Sequence, residues 1–534
     1  MVSAHALKAQ VVTKGTPWYD WVPFVKPRIF DAGLFRSDVD RLLQFYDSQG
    51  FTKTKIDTTL QVWKNGTITV NMHIEEGPRL YIGGVRVAGI DSTRLVSLYE
   101  DLNSLIGKPF VPSLLTERVT NTLRSYRNLG YAFAKVEVST YLDSLLVNVD
   151  VGFELGPVCH VSDIQVTGNV SVSERTVRRG LTFDMGQLVE GKKLDDSRRQ
   201  LYRSGVFRSV ILDFPDTVAA QTPVRIRVSE RPFKSIRLGG GYDTEVGLRA
   251  SASWLHRNFG GGAKQLRISG SASTESRDLV VGIRQAYFGD SRNWLNLSGF
   301  IQKRKQSDDE QNEVGGRASF ERNVTDNLDF VLQLSGGVVG TTTDSAFSDL
   351  RASLRWDTRD DLFDPQEGAL ASVTVRERGW WLQSAWEFWE IKGEGRWFVP
   401  LPLNSVLGVR ALGGGIFQIH KRQAVPDIER YYRGGLNSVR GWGYQKLGPK
   451  VIQETDEIID GVPVKTIEVV PLGGTSHLEG SIELRTRVLD YLGTALFIDG
   501  GKVANEFDIL SFAELKWSVG GGLRLLTPVG PIRF

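Results

Sequence analysis

One arginine at the centre of a glycine-rich segment is the strongest candidate for specific chemistry in this sequence of 534 residues. It is Arg440, in the tetrad Val439-Arg440-Gly441-Trp442 of the segment YYRGGLNSVRGWGYQKLGP. The segment holds too many glycines for a helix and is too irregular for a long strand, so it predicts a loop. A guanidinium binds a carboxylate through two oriented hydrogen bonds, and glycines let a backbone approach a wall closely. The arginine is therefore either a solvated loop cation or the partner of a distant carboxylate.

Side chains that could bind a metal are present, but their spacing is unsuitable. Cys159 and His160 are adjacent and have no further ligands at zinc-site spacing, so we interpret them as the end of a strand. The segment WDTRDDLFDPQEGAL carries five carboxylates, but their spacing differs from an EF-hand, and Pro365 with Gly368 predicts a tight turn. Neither a G-x-x-x-x-G-K-[ST] motif nor a G-x-S-x-G elbow occurs. We expect no metal, no cofactor and no enzymatic activity.

Composition limits the possible classes of protein. The net charge of +3 gives no indication of nucleic-acid binding, and the single cysteine excludes an intrachain disulfide. No secretory signal peptide is visible in the first residues, MVSAHALKAQVV, and no apolar run approaches the length of a membrane-spanning helix. A membrane barrel is not excluded, because its strands need only about 10 residues each and alternate in polarity.

Residues 1–232 have the pattern of a repeated α/β module. An extended segment that ends in glycine recurs as LKAQVVTKG, GGVRVAG and SDIQVTG, and in each copy an amphipathic helix follows that ends in a glycine and an aromatic. Two alternating strands complete each unit, as in TITVNMHIEEGP. The recurring order predicts three βααββ domains, over residues 4–80, 81–156 and 157–232, rather than three unrelated α/β modules.

From about residue 234 the helical period gives way to alternation. In NLDFVLQLS the residues Leu328, Phe330, Leu332 and Leu334 lie on one face, and polar side chains lie mainly on the other. A soluble sandwich would bury the apolar face, whereas a membrane barrel turns it to lipid and keeps charges in a wet lumen. Closing so long a sheet also removes its exposed edges. The pattern favours a membrane barrel over a soluble all-β domain.

Several motifs, in this order, resemble the outer-membrane protein assembly superfamily, whose members include BamA, TamA and the two-partner secretion translocators. LGGGYDTEVGLRASASWLHRNFGGG resembles the family's first hairpin, WDTRDDLFDPQEGA its mid-barrel turn, and GGGLRLLTPVGPIRF a strand and turn near its C-terminus. FIDGG, with Phe497, Asp499 and Gly501, matches the F-x-D-x-G strand motif, and the tetrad at 439–442 resembles V-R-G-F/Y. Three repeats resemble the TamA-like branch.

The resemblance implies a fold and a pairing of side chains. The repeats would be POTRA domains, and residues 233–534 would form an outer-membrane barrel of the sixteen-stranded family. In that family the V-R-G-F/Y loop folds back into the barrel, and its arginine pairs with the aspartate of F-x-D-x-G. Carried over to this chain, Arg440 would meet Asp499. Trp442 departs from the usual phenylalanine or tyrosine, which leaves its packing open.

The resemblance also implies that the barrel is incomplete at its C-terminus. The family continues beyond the segment PVGPIRF with about two further strands, whereas this sequence ends at Phe534. We therefore expect a truncated barrel with an open edge, which would promote pairing with another chain. We expect the N-terminus to be incomplete as well, because no signal peptide is visible in the sequence.

The function implied by the resemblance is insertion or translocation of other proteins at the outer membrane of a Gram-negative-type bacterium. POTRA domains in the periplasm would receive unfolded outer-membrane or secreted clients by edge-strand addition. The barrel would then template their insertion in the lipid bilayer, with a TamB-like partner spanning the periplasm and no nucleic acid involved. The alternative is a two-partner-secretion-type translocator that exports one dedicated exoprotein. A passive porin with soluble modules is a third possibility.

Overall fold

The computed structural model describes residues 2–533 except 14, 16–28, 90–91, 244–246, 307–308, 341–343, 380–383, 420–423, 460–461, 490, 506–513 and 528–529. Contacts divide the chain into two compact units. The first comprises Met1–Gln165, Thr182–Asp196 and Leu212–Ile226, and the second Val166–Leu181, Ser197–Ile211 and Arg227–Phe534. None of the helices in the described part is both long and apolar enough to cross a membrane.

The N-terminal elements form three small α/β modules, of which the second and third share one order of elements. The first module contains α1 (Ala4–Gln10), α2 (Ala32–Ser48), β1 (Lys55–Val62) and β2 (Ile68–Glu75). The second contains β3 (Tyr81–Ala88), α3 (Ser92–Asn103), α4 (Pro112–Asn128), β4 (Lys135–Asp143) and β5 (Leu146–Glu154). The third contains β6 (His160–Thr167), α5 (Glu174–Arg179), α6 (Gly191–Arg203), β7 (Phe207–Asp213) and β8 (Gln221–Glu230). The second and third modules are therefore βααββ units, with sheet orders β3-β5-β4 and β6-β8-β7.

Alternation within β5 builds the core of the second module. Its side chains at Val147, Val149, Val151 and Phe153 are buried on one face of the sheet. The helices cover that face with leucines such as Leu115 of α4, which share one stripe of the helix. The parallel pairing of β3 with β5 requires a long crossover, and α3 and α4 supply it.

The first module differs from the prediction that an extended segment LKAQVVTKG opens it. Leu7–Gln10 belongs to α1, so this part of the prediction is wrong. The helix contains three alanines and other strong helix formers, and Ser3 caps it by accepting a hydrogen bond from the Ala6 amide at 3.3 Å. In the described part of this module the sheet has two strands, β1 and β2, paired antiparallel.

A buried carboxylate ties the chain after α1 to α2. Asp38 is fully buried and accepts hydrogen bonds from the amides of Val12 and Thr13, both at 2.8 Å. Arg41 also donates to it. Burial alone would raise the pKa of Asp38, but these hydrogen bonds outweigh burial and lower that pKa to about 2.

Asp38→Asn is expected to destabilise this attachment by about 2 kcal/mol at neutral pH, because the charge-assisted hydrogen bonds are lost. Since the folded pKa is below its ordinary value, the contribution is complete above about pH 4 and is lost as the pH falls towards 2. Hydrogen exchange of the Val12 and Thr13 amides in the intact protein measures the change. Asp40→Asn, on an exposed position of the same helix, is the control; equal exchange in both variants would contradict the expectation.

The second half of the chain forms one large antiparallel sheet. In the described residues it contains fifteen strands in the order β25-β24-β23-β22-β19-β18-β17-β16-β15-β14-β13-β12-β11-β10-β9. The strands are β9 (Lys234–Asp243), β10 (Gly247–His256), β11 (Lys264–Ala272), β12 (Ser276–Ala286), β13 (Asn293–Gln306), β14 (Asp309–Asn323), β15 (Leu328–Gly340), β16 (Asp344–Asp357), β17 (Gly368–Arg378), β18 (Phe388–Leu401), β19 (Ser405–Gln418), β22 (Ser476–Arg487), β23 (Leu492–Ala504), β24 (Lys516–Thr527) and β25 (Gly530–Arg533). Between β19 and β22, the strands β20 (Lys450–Ile459) and β21 (Val462–Pro471) form a separate hairpin.

The two faces of this sheet differ as the alternation predicts. On β15 the side chains of Leu332 and Leu334 are exposed, 39% and 47%. Ser335, on the opposite face, is buried and donates a hydrogen bond to Asp349 of β16 at 3.0 Å. The apolar face therefore points outward, and the polar face lines an interior.

Turns at the start of the sheet pack on the part of the third module that belongs to the second unit, Val166–Leu181 and Ser197–Ile211. The Tyr287 hydroxyl, from the turn after β12, donates to the Gln200 carbonyl at 3.2 Å. Gln265 of β11 donates to the Ser204 carbonyl at 2.8 Å, and Asn258 donates to the Ser171 carbonyl at 3.2 Å. These bonds attach the module to the ends of β10, β11 and β12.

Candidate functional site

The candidate site is the connection between β19 and β22, which contains the glycine-rich segment 431–449. The connection contains a short 3-10 helix, Asp427–Glu429, and after the glycine-rich segment the β20–β21 hairpin. On β22 the outward residues Ile482 and Leu484 are 52% and 36% exposed, whereas Glu483 between them contacts the loop. The loop therefore lies against the inner face of the sheet.

The structure brings Arg440 and Asp499 together. Arg440 Nε donates to Asp499 Oδ2 at 2.7 Å, and Arg440 Nη2 donates to Asp499 Oδ1 at 2.8 Å. The Arg440 backbone amide also donates to Oδ2, at 3.0 Å. This bidentate arrangement uses the planar fork of the guanidinium, which lysine lacks. Asp499 is fully buried, so its charge depends on these donors.

Further groups complete the binding site of the Arg440 guanidinium. Glu483 accepts a hydrogen bond from Arg440 Nη1. Ser481 accepts from Nη2 at 3.2 Å and donates to Asp499 at 2.7 Å. The ring of Phe497 lies 3.4 Å from the guanidinium carbon, which adds a cation–π contact. One cation is thus held by two carboxylates, a hydroxyl and an aromatic face.

Steric constraints explain why two positions in the matched motifs, Gly441 and Gly501, are glycine. Gly441 has φ of +87°, a backbone conformation that favours glycine, and a Cβ there would lie 3.3 Å from Ser518 Cβ on β24. A Cβ on Gly501 would lie 2.6 Å from Val439 Cγ2, so glycine there makes space for the buried Val439 side chain. The Val439 side chain therefore packs directly against Gly501, beside the ion pair of Arg440 and Asp499.

Trp442 lies at the end of the tetrad and is partly buried. The ammonium of Lys450 lies 5.9 Å from the centre of its ring. Tryptophan therefore occupies the position where the family usually has phenylalanine or tyrosine, with a cation near its face.

A second anchor is formed by Arg433 and Ser438, which both contact Glu479 of β22. Arg433 Nε lies 2.8 Å from Glu479 Oε1, and Ser438 donates to Glu479 Oε2 at 2.9 Å. Arg433 Nη2 is also 2.9 Å from His477 Nε2, and the His477 ring lies 4.1 Å from that of Tyr431. Glu479 and Glu483 lie on one face of β22, so that strand holds the loop at two points.

A third anchor is Glu429, at the end of the 3-10 helix. Arg376 of β17 donates to Glu429 at 2.8 Å, and Arg378 donates to the other carboxylate oxygen. Asp349 accepts from Arg378 at 3.3 Å, and Glu390 lies 3.6 Å from Arg376. The side chains of Arg376 and Arg378 are 8% and 4% exposed, so this charge network is nearly dry.

Sequence reasoning placed Arg440 and Asp499 together but missed Glu429, Arg433 and Glu483. The alternation of SIELRTRV assigns Glu483 to a polar face, which is the one available signal for it. Nothing in the spacing of Glu429 or Arg433 indicates a partner on a strand. The arrangement can fix the position of a loop; in the described residues no group of three or more His, Cys, Asp or Glu side chains could hold a metal ion.

Comparisons with known proteins agree with this architecture. A model described as the Omp85 superfamily domain matches residues 258–534, slightly more than half of the chain. A model described as POTRA, a surface antigen variable number repeat, matches residues 159–231. The crystal structure of BamA from Haemophilus ducreyi lacking POTRA domains 1–3 aligns with a TM-score of 0.63 at 19% identity, covering 85% of this chain and 95% of that one.

Two curated relatives carry the name outer membrane protein assembly factor BamA. The protein of Neisseria meningitidis serogroup B is 24% identical over 577 residues, covering 96% of this chain and 71% of the relative. The protein of Neorickettsia risticii is 23% identical over 520 residues, covering 93% and 68%. Neither supports the TamA-like branch in particular, which stays a prediction. The chain belongs to the Omp85 superfamily and combines periplasmic POTRA structure with an outer-membrane β-barrel domain.

Proposed function

We propose that this protein inserts β-barrel clients into the outer membrane. Clients would be received on the POTRA modules and added as strands at the first strand of the barrel. The relatives named as assembly factors support this class of function. No particular client is implied, and a TamB-like periplasm-spanning partner remains part of the proposal.

The first strand of the barrel carries the proposal. All ten residues of β9 pair with β10, and in the described residues no strand pairs with its other edge. Its outward side chains Ile236, Leu238 and Tyr242 are 71%, 80% and 72% exposed. An edge strand with an apolar outer face can accept an alternating strand through main-chain hydrogen bonds, with little demand on its sequence.

Edge strands of the POTRA modules offer the same chemistry to an unfolded chain. In the described part of the second module β4 pairs with β5 alone, and its Tyr141 and Leu142 are 50% and 59% exposed. In the first module β1 pairs with β2 alone, and Leu60 and Val62 are 49% and 70% exposed. A client strand added to either edge would cover apolar side chains while it satisfies backbone groups.

Export of a protein through the lumen has less support than insertion, although the loop geometry is compatible with both. Three anchors, at Glu429, Arg433 and Arg440, hold the loop against the inner wall. The resemblance gives the same loop pairing to secretion translocators, so the preference for insertion rests on the relatives named as assembly factors. Export of a dedicated exoprotein is therefore the second candidate.

Site-directed disulfide crosslinking tests the proposal. Leu238→Cys on β9 and Leu334→Cys on β15 are both outward and exposed, while the native Cys159 is buried. The protein is reconstituted in vesicles, and a urea-denatured small barrel protein with one cysteine in its last strand is added. We expect crosslinks from position 238, none from 334, and a client that becomes protease-resistant in the bilayer. Equal crosslinking at both positions, or client accumulation inside the vesicles, would contradict insertion at β9.

A further inference from the structure

Four arginines gather where the third module joins the barrel. Antiparallel register places Arg237 of β9 opposite Ser253 and Arg267 of β11 opposite Leu255, so both flank the end of β10. Arg257 follows β10 directly, and Arg231 precedes β9, where its amide donates to the Val206 carbonyl at 3.0 Å. We call Arg231, Arg237, Arg257 and Arg267 the arginine cluster.

Arg257 links the members of the cluster. Its amide donates to the Phe233 carbonyl at 2.9 Å, and its Nη1 donates to the carbonyls of Pro232 and Phe233 at 3.3 and 3.4 Å. The side chain therefore reaches from the end of β10 to the start of β9. Burial lowers the pKa of Arg257, and the neighbouring positive charges of Arg231, Arg237 and Arg267 lower it further, as expected for a cation among cations.

Several inward arginines of the barrel have acidic partners that the arginine cluster lacks. Arg440, Arg376 and Arg284 each contact a carboxylate. For the four members of the cluster, the part of the chain that the structure describes supplies no salt bridge. Three members are exposed and Arg257 is partly buried, so the positive charge is available to an added group.

The cluster belongs to the inner face and not to the lipid face. Register puts Arg237 and Arg267 on the face of their strands opposite Ile236 and Ile268. Ile236 and Ile268 point outward and are 71% and 39% exposed. Along the same strands an open cavity of about 700 Å3 is lined by small residues, such as Gly239 and Ser251. The anionic group that this cluster suits is therefore part of a polypeptide beside β9 rather than a lipid headgroup.

We propose that the arginine cluster binds the C-terminal carboxylate of a client strand added at β9. β9 starts beside the third module, and every pairing in the barrel sheet is antiparallel, so a strand added to β9 runs towards that module and ends near the start of β9. There it meets Arg231, Arg237 and the Arg257 guanidinium, whereas Arg267 lies two strands away from β9. A barrel client whose chain ends with this strand delivers its carboxylate there. Guanidinium groups bind a carboxylate with charge-assisted, oriented hydrogen bonds. The inference rests on the proposed strand addition at β9.

A pair of strand peptides tests the inference. Both are synthetic peptides of about ten residues, the length of a barrel strand, with alternating polarity and a terminal phenylalanine. One ends in a free carboxylate and the other in an amide. With the full chain in detergent, we expect the acid to bind about tenfold tighter than the amide, the factor that one charge-assisted hydrogen bond supplies. The preference should decrease with added salt because exposed charges are screened.

The ratio of acid to amide affinity is compared among variants, since it does not depend on the folded fraction. The double variant Arg237→Gln/Arg267→Gln should lose the preference. Arg249→Gln, on the same face at the other end of β10, should keep it. A ratio near one in the unaltered protein, or a ratio that survives the double variant, would overturn the carboxylate site alone. Failure of both peptides to bind would overturn strand addition itself. Weaker binding of phosphatidylglycerol vesicles by the double variant with an unchanged ratio would assign the cluster to lipid instead.

Discussion

Arg440→Ala is expected to stop client insertion while the barrel sheet still forms. The substitution leaves the buried Asp499 without its cation, whereas Glu483 keeps Arg485 at 2.7 Å. Removing one member of a fully buried pair costs about 3–5 kcal/mol, and the cost here should be smaller because the Arg440 side chain is 21% exposed. That free energy holds the loop, whereas the strands are held by their own hydrogen-bond ladders. Insertion of a urea-denatured client into vesicles, and heat-modifiable migration of the variant itself, measure the two properties separately.

Three further variants assign the effect to the pairing. Arg440→Lys should rescue poorly, because an ammonium cannot bind both oxygens of Asp499 in one plane. In the double-mutant cycle, Arg440→Ala with Asp499→Asn should be less harmful than the sum of the two single changes. Arg396→Ala is the matched control, since Arg396 pairs with Glu394 on its own strand at 2.6 Å. Additive single effects, or equal loss with Arg396→Ala, would mean that the loop pairing is not what insertion needs.

The pairing of Arg440 with Asp499 was predictable because two short motifs could be matched to a family pattern. The chain between them spans about sixty residues, and neither propensity nor alternation connects positions so far apart. Glu483 shows the limit. Alternation places it on the polar face of β22, but its contact with Arg440 depends on where the loop folds back. The same reasoning applies to Glu429, whose partners lie on β17.

The opening of the first module shows a different limit. The segment LKAQVVTKG looked extended because it resembles two later segments that are strands, β3 and β6. Alanine-rich composition and the Ser3 cap favour a helix locally, and that preference holds for Leu7–Gln10. An internal repeat predicts the order of elements well when each predicted strand has a neighbouring strand to pair with. In the described first module β1 and β2 pair with each other alone, so no such edge contact opposes the helix.

Glu429→Ala is expected to release the other end of the loop and to lower the stability of the second unit. The network around it contains three carboxylates, on Asp349, Glu390 and Glu429, and the cations Arg376, Arg378 and Lys392. Removing Glu429 leaves the network with three cations and two carboxylates, and two of the cations, Arg376 and Arg378, are almost fully buried. An uncompensated charge in such a site costs about 3–5 kcal/mol. Urea-induced unfolding in detergent, followed by tryptophan fluorescence, should move to lower urea concentration.

Balancing the charge separates electrostatics from packing. Arg378→Met removes one cation and retains an apolar side chain, so it should recover part of the stability lost in Glu429→Ala. Asp427→Ala is the control, because Asp427 lies in the same 3-10 helix and its partner is the local Arg430 at 3.1 Å. If Glu429→Ala/Arg378→Met is less stable than Glu429→Ala alone, the two arginines are stable without Glu429.

The two anchors should be coupled, because they hold one loop. If the loop remains on the wall only when both Glu429 and Arg440 are bound, the first substitution releases it, and the second adds little. Trypsin cleavage at Lys446, between the anchors and the hairpin, reports the released state. A loss of about 3 kcal/mol in either anchor would raise cleavage roughly a hundredfold when opening is fast. We expect the double variant Glu429→Ala/Arg440→Ala to be cleaved at nearly the rate of each single variant. A rate equal to the product of the two single effects would instead mean that the two anchors contribute independent, additive free energies to holding the loop.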